Sequence, residues 1–383
     1  MSQSSRADIL LFLLVQTALA SRTGQSSAGL SNPWMEYLQF LPRVVLVPSM
    51  WTEDERLLLR GTSLETAVNA KMLATVGEFD YVQSTSSEIP CWDELLWQGD
   101  AVSLRDWIRL DALYRSRCLE LPRSGESMVP CIDMINHARD ATAYYDENSR
   151  REVTLLLRPG VTLSEGQEVT ISYGEAKSAA EMLFSYGFID PESTIESLVL
   201  PLEPFEDDPL AKAKLVGFGE APKLHVARDG GSVIWKSPFV HLMCVNEEDG
   251  LDFRVLQDTN GGRQLRVFWQ GEDATDQTAD FETLVKNHPL GVIFRLRAVT
   301  VIQERLQTQL DLARSYDSND NLGEVRAECL GAAKLLRRIE IGILESGVEV
   351  LEKEVCTNDK HWLDCTVWCD GSRWIDWVWY SGS

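Results

Sequence analysis

The chain has 383 residues, 44% of them hydrophobic and 25% charged, which is ordinary for a globular protein and long enough for two domains. A net charge of −23 leaves no basic stripe to neutralise phosphates, so the composition argues against a direct nucleic-acid partner and suits long-range attraction of a basic protein instead. No stretch reaches the roughly 18 consecutive apolar residues of a membrane span, which argues against a membrane partner as well.

The first element in the chain is the apolar run ADILLFLLVQTALA, residues 7–20. It ends in a small-x-small pattern like a secretory leader, but only Arg6 is basic ahead of it, and Asp8 and Gln16 interrupt it. Ile9, Phe12, Leu13, Gln16, Leu19 and Ala20 fall at helical spacing, which predicts a buried helix, followed by a flexible Ser/Gly-rich loop over 21–31. Residues 1–42 thus read as a helix and loop, and residues 43–125 as mainly helical, with helices over 53–60 and 64–74.

Residues 126–190 hold the densest chemistry. Asp133, Asn136, His137, Tyr173 and Tyr186 lie inside otherwise apolar segments, where polarity is tolerated only if something uses it. Strands over 152–157 and 168–172 flank the turn Ser164-Glu165-Gly166-Gln167. Ser178 and Glu181 form a capping-box pattern, Met182, Leu183 and Tyr186 give an apolar face, and Gly187 is placed to cap the helix C-terminus. Tyr173 therefore stands at a strand end, just before a bend into a helix.

Residues 191–270 read as a mixed connector, irregular around Pro201, Pro204 and Pro209, with a strand over 264–269. Residues 271–355 read as helical from about 280, because Leu290, Phe294, Leu296, Val299, Ile302, Leu306 and Leu310 recur at three and four. A break at 315–321 precedes a second helix from about 322. Residues 356–383 form a Trp/Cys-rich tail of unknown role, with tryptophans at 362, 368, 374, 377 and 379. The eight cysteines are dispersed and read as reduced thiols of an intracellular protein. The spacing of Cys356, His361, Cys365 and Cys369 in the tail does not read as a zinc site, so no metal is expected.

In order along the chain, Tyr114-Arg115-Ser116-Arg117, the run DMINH, the run ISYG and the run SYGF resemble the core of SET-domain methyltransferases, in the branch that includes the Rubisco large-subunit methyltransferase. Leu38 to Pro42 after Trp34, and Trp51-Thr52-Glu53-Asp54-Glu55 with Gly61-Thr62, resemble that branch's helical insert. Val245-Asn246-Glu247-Glu248-Asp249-Gly250-Leu251 and the helices beyond resemble its substrate-binding domain. The resemblance spans about residues 7–350. It implies an α+β fold: a small-sheet SET core with a pseudoknot over 126–190, a helical insert over 43–125, and a mainly helical C-terminal domain over 271–355. It also implies a Gly-x-Gly strand pair near the N-terminus that this sequence does not contain, since the glycines at 24–29 come too late.

The activity implied is transfer of a methyl group from S-adenosyl-L-methionine to a lysine of another protein. By that resemblance Tyr173 is the catalytic tyrosine, Arg117 holds the cofactor's carboxylate, and Asn136 and His137 contact the cofactor largely through backbone groups. Tyr186 lines the cofactor or lysine pocket, and Leu119, standing where the family often has an aromatic, shapes the lysine channel with Tyr173 and Tyr186. Asp133 fixes its loop. A histidine acceptor, or a degenerate SET scaffold that binds proteins without catalysis, are the alternative readings. A monomer in the cytoplasm or nucleus, with a protein as substrate, completes the expectation.

Overall fold

A computed structural model describes residues 5–23, 33–98, 102–230, 232–257, 261–316 and 323–365. Gly24 and Gly29, the tryptophan tail beyond 365, and the side chains of Cys356, His361, Trp362, Cys365 and Cys369 lie outside the described residues.

In chain order the elements are α1 (Ser5–Thr23), α2 (Pro33–Phe40), α3 (Glu53–Leu57), α4 (Leu64–Ser87), α5 (Pro90–Trp92), α6 (Leu104–Arg117), β1 (Leu119–Leu121), β2 (Gly125–Ser127), β3 (Asn136–His137), β4 (Ala143–Glu147), β5 (Val153–Leu157), β6 (Thr170–Ile171) and α7 (Ala179–Tyr186). There follow β7 (Ser197–Pro201), α8 (Ala211–Phe218), β8 (Lys223–Asp229), β9 (Ser232–Lys236), α9 (Pro238–Met243), β10 (Leu251–Gln257), β11 (Arg263–Trp269), β12 (Glu272–Asp273), α10 (Phe281–Lys286), α11 (Gly291–Ser315) and α12 (Ala327–Cys365). They form two compact units, residues 1–198 with 313–340 and residues 199–312 with 341–383. The fold is α+β, with helices around several small sheets.

In the first unit α1 buries Leu10, Leu13, Leu14 and Ala18 with Tyr37 and Leu38 of α2 and Trp107, Leu110 and Leu113 of α6. The buried stripe of α1 differs from the one expected, since Phe12 is 39% exposed and packs edge-on against Trp34. The run from Ile9 to Val15 is apolar all round, so periodicity marks the helix without choosing its face. Helix α4 runs to Ser87, well past the expected 74, because Thr75, Phe79, Val82 and Ser86 continue its buried face. The expected helix over 53–60 closes at Leu57, and the chain turns through Gly61 at φ 74°.

Three helices open on reciprocal capping boxes: Thr52 with Glu55, Ser103 with Asp106, and the expected Ser178 with Glu181. Gly187 caps α7 in the left-handed conformation at φ 83°. Strands β1 and β2 pair antiparallel, as do β4 and β5. The expected strand over 168–172 shortens to Thr170–Ile171, which pairs in parallel with β3 in the register Asn136 to Thr170 and His137 to Ile171. That short parallel ladder sets two distant segments side by side, and it is what positions the site.

The second unit holds two three-stranded sheets, β7-β8-β9 and β10-β11-β12. Its core is built on Phe239, Val240 and Leu242 of α9, Phe281 of α10, and Phe294, Val299, Ile302 and Leu306 of α11. The helical run expected from about 280 is broken at His288 and Pro289, where proline cannot continue the ladder and the Leu290 N–H turns to His288 Nδ1 at 3.1 Å. The last helix begins at Ala327 rather than near 322.

Candidate active site

The site lies in the first unit, where the end of α6, the 132–137 segment and the β6–α7 bend converge. Helix α6 ends at Arg117, with Arg115 and Arg117 in its last turn and both in the wall of the site. Arg117 Nη1 donates to the Asp133 carbonyl oxygen at 2.9 Å and lies 3.8 Å from the Asp133 carboxylate. That carboxylate is buried and accepts the Tyr37 hydroxyl at 2.6 Å. Burial holds the Asp133 pKa above the ordinary carboxylate value despite the pull of Tyr37 and Arg117. Asp133 thus pins its loop, as expected.

Tyr173 follows β6 by two residues and is held from both ends. Its backbone N–H donates to His137 Nδ1 at 3.1 Å, and its hydroxyl donates to the Ile135 carbonyl oxygen at 2.7 Å. Because His137 Nδ1 accepts, its proton belongs on Nε2, which faces the Asp190 carboxylate at 3.5 Å. The Tyr186 hydroxyl donates to the Tyr173 carbonyl oxygen at 3.2 Å, and the two rings stand 4.6 Å apart, tilted by 36°. Burial raises the pKa of Tyr173 and pushes that of Tyr186 up to about 12, so both phenols stay protonated at neutral pH.

These groups border a cavity of about 390 Å³, whose walls include Arg117, Leu119, Asp133, Tyr173, Lys177 and Tyr186. That volume falls in the range of roughly 300–1,000 Å³ usual for small-molecule sites. Of the residues singled out by sequence, Arg117, Leu119, Tyr173 and Tyr186 come together in its wall. Asn136 and His137 stand behind it: the His137 ring abuts that of Tyr173 at 5.2 Å, and the Asn136 side chain turns outward to Glu168 at 2.6 Å. Arg6, Arg115, Cys118, Tyr145 and Lys177 also line the cavity, and the sequence singled out none of them as a site residue. Arg115 lies in the Ser-Arg run and packs its guanidinium over the Phe184 ring at 4.5 Å. Burial pushes the Cys118 thiol up to about 11, which leaves it protonated and unreactive.

The cavity suits S-adenosyl-L-methionine on chemical grounds. The buried Arg117 Nε has no hydrogen-bond partner in the described structure, and a buried donor of this kind calls for an acceptor such as a carboxylate. The Tyr173 and Tyr186 rings offer electron-rich faces to a cationic centre. Among the described residues no group of three or more His, Cys, Asp or Glu side chains is placed to hold a metal ion.

The fold is that of a SET domain. The chain superposes on the Rubisco large-subunit methyltransferase SET domain solved with lysine and AdoHcy, with a TM-score of 0.62 at 20% identity, over 99% of this chain and 83% of that one. The same methyltransferase bound to AdoMet gives a TM-score of 0.60 at 19% identity. In sequence the chain is 28% identical over 341 residues to SET domain-containing protein 8 of Schizosaccharomyces pombe, covering 86% of this chain and 76% of that protein. It is 29% identical over 260 residues to the chloroplastic Rubisco large-subunit N-methyltransferase of Pisum sativum, covering 63% of this chain and 52% of that enzyme. The chain thus spans about half the length of the pea relative. No protein-family model matches. The chain thus has the fold of the Rubisco large-subunit methyltransferase SET domain, and its sequence is similar to those of SET-domain proteins of that branch.

Proposed function

We propose that the chain is an S-adenosyl-L-methionine-dependent protein-lysine N-methyltransferase whose acceptor amine meets the cofactor between Tyr173, Tyr186 and Leu119. The observation that carries this reading is the clamped tyrosine. With its proton committed to the Ile135 carbonyl, the Tyr173 hydroxyl keeps its lone pairs for an incoming amine. A phenol that stays protonated cannot serve as a base, so Tyr173 orients the amine rather than deprotonating it. The cofactor supplies an electrophilic methyl group on a sulfonium. A lysine amine desolvated against Leu119 and the tyrosine rings is shifted toward its neutral, nucleophilic form. As the N–C bond forms and the C–S bond breaks, the electron pair stays on sulfur and the amine's surplus proton leaves to solvent. Arg117 would hold the cofactor's carboxylate, and Asn136 and His137 would support it through the β3 backbone. Relatives with lysine-methyltransferase names, one acting on fructose-bisphosphate aldolase in Arabidopsis thaliana, support a protein lysine as acceptor. The net charge of −23 supports a basic protein as the substrate.

The test is transfer of a labelled methyl group from S-adenosyl-L-methionine to a lysine-rich protein such as core histones. Tyr173→Phe should lower the turnover by about 100-fold, since misplaced reacting atoms cost that much, while cofactor binding persists. Unchanged transfer by Tyr173→Phe would overturn the reading.

A further inference from the structure

The cavity wall contains one primary amine, that of Lys177. The other cations in the wall are engaged: Arg6 by Glu78 and Asp111, Arg117 by Asp133, and Arg115 over the Phe184 ring. Among the described residues, Lys177 Nζ makes no hydrogen bond or ion pair. It lies 6.0 Å from the centre of the Tyr186 ring, whose neighbour at 4.6 Å is the Tyr173 ring. An amine in the cavity wall with no carboxylate or hydrogen bond committed to it is free to meet a methyl donor bound in that cavity.

Residues 174–176 are exposed, and Gly174 adopts φ 135°, a conformation that side-chain-bearing residues rarely take. A Cβ built at position 174 would lie 2.9 Å from Lys177 Nζ, so a larger residue there would push the amine from its present place. Ser178 then starts α7 with its capping box, fixing the far end of the loop. Lys177 therefore stands four residues beyond Tyr173, on a short loop anchored at the start of α7.

We propose that Lys177 is itself a methyl acceptor of this site, modified within the same molecule. This rests on the methyltransferase reading above. The neutral Nζ lone pair forms the N–C bond as the C–S bond of the methyl donor breaks. Sulfur keeps the electron pair, the donor becomes its thioether, and the ammonium's surplus proton is released to solvent. The product is a methylated Lys177, bulkier and without one hydrogen-bond donor.

The full chain should be incubated with labelled S-adenosyl-L-methionine, once alone and once with core histones, and its peptides read by mass spectrometry after cleavage at glutamate. The expected result is a methyl group on Lys177 that appears at a rate independent of chain concentration, is absent in Tyr173→Phe, and leaves the chain unlabelled in Lys177→Arg. Methylated histones with an unmodified Lys177 would overturn this inference and leave the methyltransferase reading standing. Label on another lysine of the chain, or a rate that rises with chain concentration, would also overturn it. Labelling of neither the chain nor the histones would overturn both.

Discussion

At the scale of single residues, the site depends on groups that hold Tyr173 and Arg117 in place. Asp133 is buried, and among cations its carboxylate faces Arg117, 3.8 Å away, while Tyr37 donates to it. Arg117→Ala should therefore cost more than about 2 kcal/mol of stability at neutral pH, since it leaves a buried carboxylate without its cation. Because the Asp133 pKa is already raised by burial, the cost should shrink as the pH is lowered and Asp133 becomes neutral. Denaturant unfolding of both proteins at pH 7 and pH 4 measures this, and an equal loss at the two values would contradict it. Tyr173, Arg117 and Tyr186 were legible in the sequence because ordered motifs name them. Lys177 and Tyr145 were not, because a lysine in a turn and a tyrosine in a short strand look the same whether or not a cavity lies beside them.

At the scale of elements, the start of α12 docks within the first unit through two carboxylates with opposite pH behaviour. Glu55 forms a paired contact with Arg326 at 2.7 and 2.6 Å, which holds its pKa near 2. Its folded value is below the ordinary one, so this contribution is present above about pH 4.5 and is lost as the pH falls toward 2. Glu340 is 2% exposed, and burial raises its pKa to about 7 although Ser63 donates to it from both N–H and hydroxyl. Here the folded value is above the ordinary one, so stability is complete below about pH 4.5 and is lost as the pH rises through 7. Glu340→Gln should abolish that alkaline limb: between pH 5 and 8 the parent chain should lose a few kcal/mol relative to the variant. Parallel stability curves for the two proteins would show that Glu340 does not titrate in this way.

Gly187 shows how far an element can be read in advance. Its capping role follows from the sequence pattern, but its packing does not: a Cβ there would lie 2.5 Å from the Leu46 carbonyl carbon and 2.8 Å from the Val47 nitrogen. Those are backbone atoms that cannot yield, so Gly187→Ala should destabilise by more than about 2 kcal/mol, beyond the strain of a positive φ alone. The same limit hid the β3–β6 pair. Two two-residue strands more than thirty residues apart carry too little alternation to announce that they meet, and only their motifs marked the segments.

At the scale of the whole molecule, the resemblance of the ordered motifs implied the α+β SET fold, because those motifs sit where the chain must return to one place. The buried face of α1 and the full length of α4 were set by tertiary contacts that periodicity cannot resolve. The charge of −23 belongs to this scale too. If it steers a basic substrate, kcat/KM for core histones should fall several-fold as salt is raised from 0.05 to about 0.3 M, where the screening length drops below about 6 Å, with kcat little changed. A salt-independent kcat/KM would remove steering from the account. The central claim is that the cavity beside Tyr173 takes the methyl donor, and calorimetric titration of S-adenosyl-L-methionine into the 383-residue chain tests it most directly. Saturable micromolar binding at one site per chain is the predicted result, and the absence of binding heat from a chain shown to be folded would contradict it.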